Sequence, residues 1–289
     1  MIKTDFGDKQ HNRVNEKKCE VRGYSERQIQ ALAFLLPFII MLTLFGIKGI
    51  YPFGDRSFLS GDLYHQYMPF FSELLHKVRG GENLSFSFNV GIGSNFLALF
   101  VYYLASPFHI FSLLVPESHL MEFMSYLIVL KIGLAGLTSY LYLQNHFGAA
   151  DAADGVVPEE LWIRRRGNDI GALCFSCFYA LSGFMAAYNY NIMWVDCVVL
   201  LPLIVLGLER LVKEGRCGLY CVTLALSIFT NYYISIMICI FLVLYFLFLL
   251  VTERRRLRSM GYFALFSLLA GGMASVLLIP EVCAILQTD

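Results

Sequence analysis

The stretch Gly61-Asp-Leu-Tyr-His-Gln-Tyr-Met-Pro-Phe70 packs an aspartate, a histidine, a glutamine and two tyrosines into ten positions. Each type has its own chemistry. Asp62 directly precedes an apolar period, so its carboxylate reads either as a helix N-cap or as a general base able to take a hydroxyl proton. His65 beside Asp62 offers two donors for a cation. Two ligands do not make a metal site, so a divalent metal is left open. Asp55, in Tyr51-Pro-Phe-Gly-Asp55-Arg56, reads as a turn residue beside Gly54 or as a second carboxylate. Further along, Lys131, Asp196 and Glu281 fall inside apolar stretches. Ionisable groups there are expensive to bury and mark function by default. A structural ion pair, for example Lys131 with Asp196, is the plainer account. Trp194, next to Asp196, fits an interfacial anchor.

These residues need a frame to hold them. The chain has 289 residues, is 57% hydrophobic and only 15% charged, with mean hydropathy +0.62. That composition is a multi-pass membrane protein's, not a soluble domain's. Balanced charge, with no basic patch interleaved with aromatics, gives no reason to expect a nucleic-acid partner. Seven of the eight cysteines lie in or at the ends of apolar stretches, which is not a secreted disulfide framework. Cys174-Phe-Ser-Cys177 has redox spacing but sits in an apolar run, where a thiolate is not favoured. The first 28 residues are polar, unlike a cleavable signal peptide.

Stretches near 20 apolar residues predict spans at 29–48, 121–143, 170–189, 192–210, 217–231, 234–251 and 260–286. Basic residues then set the orientation. They concentrate in the 1–28 tail (Lys3, Lys9, Arg13 and others), in Arg164 to Arg166, in Arg210, Lys213 and Arg216, and in Arg254 to Arg258, whereas 49–120 carries only Arg56, Lys77 and Arg79. All four basic segments share the cytoplasmic side if the apolar stretch 96–115, interrupted by Pro107 and His109, does not cross, and if 217–251 is a hairpin broken at Thr230-Asn231-Tyr232-Tyr233. The expectation is therefore an all-α bundle of about seven spans in the plasma membrane. Residues 1–28 form a cytoplasmic tail, 49–120 an external loop, 145–169 a cytoplasmic connector, and the C-terminus lies outside. Asp62, Asp196 and Glu281 would then share the outer side. Glu209 and Arg210 read as ordinary boundary charges.

Within the loop, Leu63, Tyr67, Phe70, Phe71, Leu74 and Val78 recur at helical spacing, predicting an amphipathic helix on the membrane surface. Asp62, His65, Gln66, Glu73 and His76 take its other face. Gly80-Gly81 ends it, and Pro69 kinks it or starts it afresh. Ser87 to Asn95 is glycine-rich but follows no strand, so it reads as a turn leading into 96–115, not as a nucleotide loop.

Seven segments, in order, resemble the YfhO-type bacterial membrane proteins, which are GT-C-like glycosyltransferases. They are Gly61 to Phe70, Gly91 to Phe108, Leu130 to Gly136, Tyr179 to Phe184, Ile192 to Asp196, Leu201 to Arg210 and Asn231 to Tyr233. The resemblance runs from about residue 30 to the end. It implies an enzyme that takes a sugar from a polyprenyl-phosphate carrier and passes it to an outer-face polymer such as lipoteichoic acid. A separate donor synthase and a flippase would supply the carrier. GT-C enzymes carry an essential acidic residue in the first external loop. Asp62 matches it best, with Asp55 in reserve. Lys131 or Arg56 would contact the carrier phosphate, Arg56 with bidentate geometry. His65, Gln66, Trp194, Asp196 and Glu281 complete the expected substrate contacts. Family members continue beyond the position of Leu286-Gln-Thr-Asp289, so the chain reads as truncated and inactive by itself. A transporter or flippase for lipid-linked sugars would place polar residues through the span interiors, and a scaffold would not need Asp62.

Overall fold

The computed structural model describes residues 25–153, 170–252 and 256–286. Most of the expected 1–28 tail, the 154–169 part of the connector with Arg164 to Arg166, and Arg254 and Arg255 lie outside these residues. The described residues are helical, with two isolated bridges, Ile50 to Arg56 and Ser87 to Ser94.

Helix α1 (Glu26–Lys48) begins at a capping box: Ser25 accepts from the Gln28 N–H, and the Gln28 side chain accepts from the Ser25 N–H. Gly49, at φ 64°, ends it in the left-handed conformation. A short π-helical turn (Leu63–Tyr67) runs into α2 (Met68–Gly80), with Pro69 in the first turn and Gly81 closing the last. The fresh start at Pro69 is thus the outcome. Helix α3 (Phe96–Leu99) continues as a π turn to Leu104. A 3-10 segment (Pro107–Leu114) follows at 107° to it. Then come α4 (Leu120–Ala153), α5 (170–180), α6 (Gly183–Tyr188), α7 (Ile192–Glu214), α8 (Gly218–Thr230), α9 (Tyr232–Thr252) and α10 (Arg256–Ile285).

Among the described residues six helices are long and apolar enough to cross a membrane, and a seventh crossing is counted if the bent 96–114 pair is one span. The stretch expected not to cross is bent by 107° and fits either a broken span or a re-entrant loop. The expected span at 217–231 is α8, at 13 residues shorter than a full crossing needs.

Cross-helix contacts give the directions. Lys131 meets Asp196 and Asn145 meets Arg210, a constant offset of 65 residues, so α4 and α7 run parallel. Gly136 approaches Ala33 whereas Tyr126 reaches Tyr51, so α1 runs antiparallel to α4. Tyr220 bonds Ser267 and Tyr232 bonds Glu281, so the C-terminal end of α10 lies beside the start of α9. Directions alternate through the bundle. Arg27, Arg210, Lys213 and Arg258 therefore collect at one end, the basic end. Tyr67, Tyr102, Trp194 and Tyr232 collect at the other, the aromatic end.

Two glycines permit close packing. A Cβ on Gly207 would lie 2.5 Å from the Tyr220 backbone nitrogen, and one on Gly136 2.4 Å from the Ala33 carbonyl oxygen. The exposed faces of α9 and α10 carry Leu244, Phe248, Val251, Leu268 and Val276, a surface suited to lipid.

The amphipathic stripe of 63–78 departs from expectation. Leu63, Tyr67, Phe71 and Leu74 are buried in the main core with α4 and α7, not spread on a membrane surface, and only Val78 is exposed. Glu73, expected on the polar face, is buried. Its carboxylate accepts from Ser87 Oγ at 2.6 Å and from Asn89 Nδ2 at 2.9 Å, with Lys77 Nζ 3.5 Å away. Burial pushes the Glu73 carboxyl up, but these hydrogen bonds and the Lys77 charge outweigh it and hold it below the ordinary glutamate value.

Candidate functional site

The first turn of α7 anchors the aromatic end. Lys131, fully buried on α4, places Nζ 2.9 Å from both carboxylate oxygens of Asp196 and donates to the Ile192 carbonyl at 2.8 Å. Asp196 is 2% exposed. The ammonium thus has three oxygens around it, and the Phe108 ring lies 5.7 Å away. This is the ion pair that the sequence offered as the plainer account. Left single, either charge would cost several kcal/mol.

The bent 96–114 segment closes over this pair. Where the helix breaks, His109 Nδ1 donates to the Leu104 carbonyl at 3.1 Å, satisfying backbone that the bend sets free. Its ring meets Phe71 at 4.8 Å, and its Nε2 finds no partner among the described residues.

Asp62 lies at the rim and is exposed. It does not cap: its backbone is already helical (φ −62°, ψ −28°) and its side chain accepts no capping hydrogen bond. Gly61, at φ 54°, makes the turn before it. The Asp62 charge is close enough to act on Tyr67 and Tyr103. The Tyr67 phenol is pushed well up, chiefly by burial and then by its neighbours, Asp62 among them. Its hydroxyl faces Asn191 Oδ1 (3.3 Å) and Met193 Sδ (3.1 Å). Tyr103 donates to Gln66 Oε1 at 2.9 Å and stacks edge-on against Tyr67 and Tyr102. Asp62 and Gln66 thus sit one tyrosine away from a pocket.

That pocket, about 470 Å³, lies between the start of α3 with its π turn, the start of α9 and the end of α10. Ser94, Asn95, Tyr102, Tyr103, Tyr232 and Glu281 supply its polar lining. Tyr232 donates to Glu281 Oε1 at 2.9 Å, whereas Oε2 has no hydrogen-bond partner among the described residues. Trp194 lies beside Tyr102, with its ring 6.1 Å from Tyr233 and 5.9 Å from Tyr188.

Other candidates stand apart. Asp55 and Arg56 are exposed on the tight loop after α1, where Arg56 pairs with backbone at Gly49 and Tyr51. A Cβ on Gly54 would lie 2.5 Å from the Gly49 carbonyl oxygen, so the loop requires glycine beside Asp55. His65 is exposed and packs edge-on against Tyr64. Among the described residues no group of three His, Cys, Asp or Glu side chains is placed to hold a metal ion.

At the basic end, Glu209 is no ordinary boundary charge. It is 3% exposed and accepts from Tyr245 at 2.7 Å, His146 at 2.9 Å, Tyr142 at 3.1 Å and Lys213 at 3.4 Å. Arg210 donates to Asn145 at 2.7 Å. The sequence signal was the matched spacing of Tyr142 and His146 on α4 with Glu209 and Lys213 on α7, each four residues apart on one helix face.

A bundle of membrane-length apolar helices defines a multi-pass membrane protein. The family model described as "Bacterial membrane protein YfhO" matches residues 33–289, and the chain belongs to that family. No curated protein and no solved structure matches it.

Proposed function

We propose that the protein is a GT-C-like membrane glycosyltransferase. It moves a sugar from a polyprenyl-phosphate carrier to a cell-envelope polymer of lipoteichoic-acid type at the outer face. The observation that carries the reading is Asp62: an exposed aspartate with no capping hydrogen bond, whose charge acts on Tyr103, a lining residue of the polar, aromatic pocket. The aromatic end then faces outward and the basic end faces the cytoplasm, in keeping with the bias of basic residues. The 49–120 segment becomes the first external loop.

In this reading Asp62 takes the proton of the acceptor hydroxyl as its oxygen bonds to the anomeric carbon. The bond from that carbon to the carrier phosphate breaks, and the polyprenyl phosphate leaves. Asp55 is the reserve base. Arg56 offers a bidentate contact to the departing phosphate. Gln66, His65 and Trp194 meet the sugars near the rim, and Glu281 does so in the pocket. Lys131 and Asp196, spent on each other, hold α4 to α7 and act as positioning residues. The apolar faces of the spans hold the prenyl chain. A donor synthase and a flippase supply the substrate.

The test is transfer of labelled sugar from a polyprenyl-phosphate donor into envelope polymer, using membranes with the full-length protein or its Asp62→Asn variant at matched level. Loss of transfer in the variant supports the reading. Equal transfer removes Asp62 from the chemistry and turns attention to Asp55. Absence of transfer by either protein, with a competent donor, favours a carrier or scaffold.

A further inference from the structure

The pocket at the aromatic end holds a carboxylate without a counter-ion. Glu281 is 6% exposed, and its Oε2 is buried without a hydrogen-bond partner among the described residues. Its single donor is a neutral phenol, Tyr232, on Oε1. Among the described residues no lysine or arginine lines the cavity. A buried carboxylate with no cation is costly, and an unpartnered polar atom in a native fold calls for a ligand or a reason.

Ser94 and Asn95 add two neutral polar groups at the start of α3, and the three tyrosines of the wall fit one class of ligand. Tyr102 and Tyr232 meet at 5.7 Å in an edge-to-face arrangement, and Tyr103 adds a third ring 4.7 Å from Tyr102. Aromatic faces attract organic cations through the ring quadrupole, and the attraction grows when the site is desolvated. A phosphate would meet the Glu281 charge with nothing to offset it. A neutral hydroxyl would fill the hydrogen-bond vacancy but leave the charge. An ammonium that carries an N–H, or a hydroxyl beside a quaternary nitrogen, does both. The cavity, about 470 Å³, is within the usual range for small-molecule sites.

We infer that this pocket is a subsite for an organic ammonium, with Glu281 as its counter-ion and Tyr102, Tyr103 and Tyr232 as its cage. The inference names the ligand class of the pocket in the proposed transferase but does not depend on sugar transfer. A protein with no transfer activity would still bind the cation. The ammonium could belong to an amine-bearing saccharide or to a lipid headgroup, since the chemistry of recognition is shared.

The experiment is calorimetric titration of the full-length protein in nanodiscs of phosphatidylglycerol. The ligands are choline and its neutral carbon isostere, dimethylbutanol, which have the same shape and differ in charge. Choline is expected to bind about tenfold or more tightly than the isostere. Glu281→Gln is expected to abolish that difference. Should the variant not fold, the choline-to-isostere ratio in the unaltered protein decides alone. Equal binding of the two ligands, or no binding of either, overturns the inference. Competition arms separate the sources. Displacement of choline by glucosamine supports a saccharide amine, and weakened choline binding in nanodiscs containing phosphatidylethanolamine supports a headgroup. N-acetylglucosamine displacing choline as well as glucosamine does would overturn the charge requirement.

Discussion

Helices α4 and α7 carry buried polar groups at both ends, and the two ends differ in how those groups are satisfied. At the basic end, both oxygens of Glu209 are used: Tyr245, Tyr142, His146 and Lys213, from three helices, all point at one carboxylate. At the aromatic end Lys131 and Asp196 pair with each other, but Glu281 Oε2, His109 Nε2 and Asn231 Nδ2 are buried without hydrogen-bond partners among the described residues. A carboxylate with every lone pair used can hold helices together and do little else. Buried groups left open have paid their desolvation in advance and are ready for a ligand. The contrast separates a clamp from a site, although both are built from tyrosines and a glutamate.

Substitutions can break this contrast. The largest expected effect is on activity at the aromatic end. Asp62→Asn should lower sugar transfer about 10²- to 10⁴-fold, the usual value of a positioned general base, with unchanged thermal stability in detergent. A stability loss that accounts for the activity loss would make Asp62 structural after all. Next, Lys131→Met should destabilise the fold by about 3–5 kcal/mol, because Asp196 is left charged and buried. The double variant Lys131→Met with Asp196→Leu should recover most of that, as read by denaturant unfolding. No recovery would mean the pair does more than neutralise itself. At the basic end, Glu209→Leu should cost about 1–3 kcal/mol by orphaning several donors, yet leave choline binding unaltered. An altered binding constant there would join the two ends. Gly207→Ala should cost a similar or smaller amount, about 1–3 kcal/mol, since the new methyl meets the α8 backbone. Gly271→Ala, with open space around it, should be nearly silent.

The smallest effect is one of pH. The folded value of Glu73 is depressed, so its contribution is fully present above the ordinary glutamate range and lost as pH falls through the lower folded value. Amide protection in residues 85–95, taken relative to the intrinsic exchange rate at each pH, should therefore fall as pH drops below the ordinary glutamate range and approach that of Glu73→Gln. Protection that is insensitive to acid would show that the loop is held by other contacts.

Much of the frame was legible. Long apolar runs marked the crossings, and Lys131 and Asp196 stood out because charges are rare in such runs. The stripe from Leu63 to Leu74 announced a buried face, but periodicity says only that a face is covered, not by what. Here the cover is the chain's own α4 and α7 in place of the expected lipid surface. The cap reading of Asp62 failed for a local reason: Gly61 takes the left-handed turn, so the helix has begun before the aspartate can cap it. Glu209 and Glu73 were hidden because their partners are distant in sequence or in a loop, and a charge near a span end looks alike whether solvated or ringed by phenols. The pocket was not legible at all, since its walls come from three segments well separated in sequence, the start of α3 with its π turn, the start of α9 and the end of α10.

The shortness of α8 has a consequence for the lipid around it. Thirteen residues extend about 20 Å, against a hydrocarbon layer of about 30 Å. If Gly218 begins at one face, Thr230 and Asn231 end well beneath the other, and so does the start of α9, where Tyr232 meets Glu281. The neighbouring leaflet must then thin or dip toward that step, at a modest elastic cost per ångström. Such a depression would bring headgroups down to the pocket and shorten the distance that a polar group on a long-chain lipid must travel to reach it.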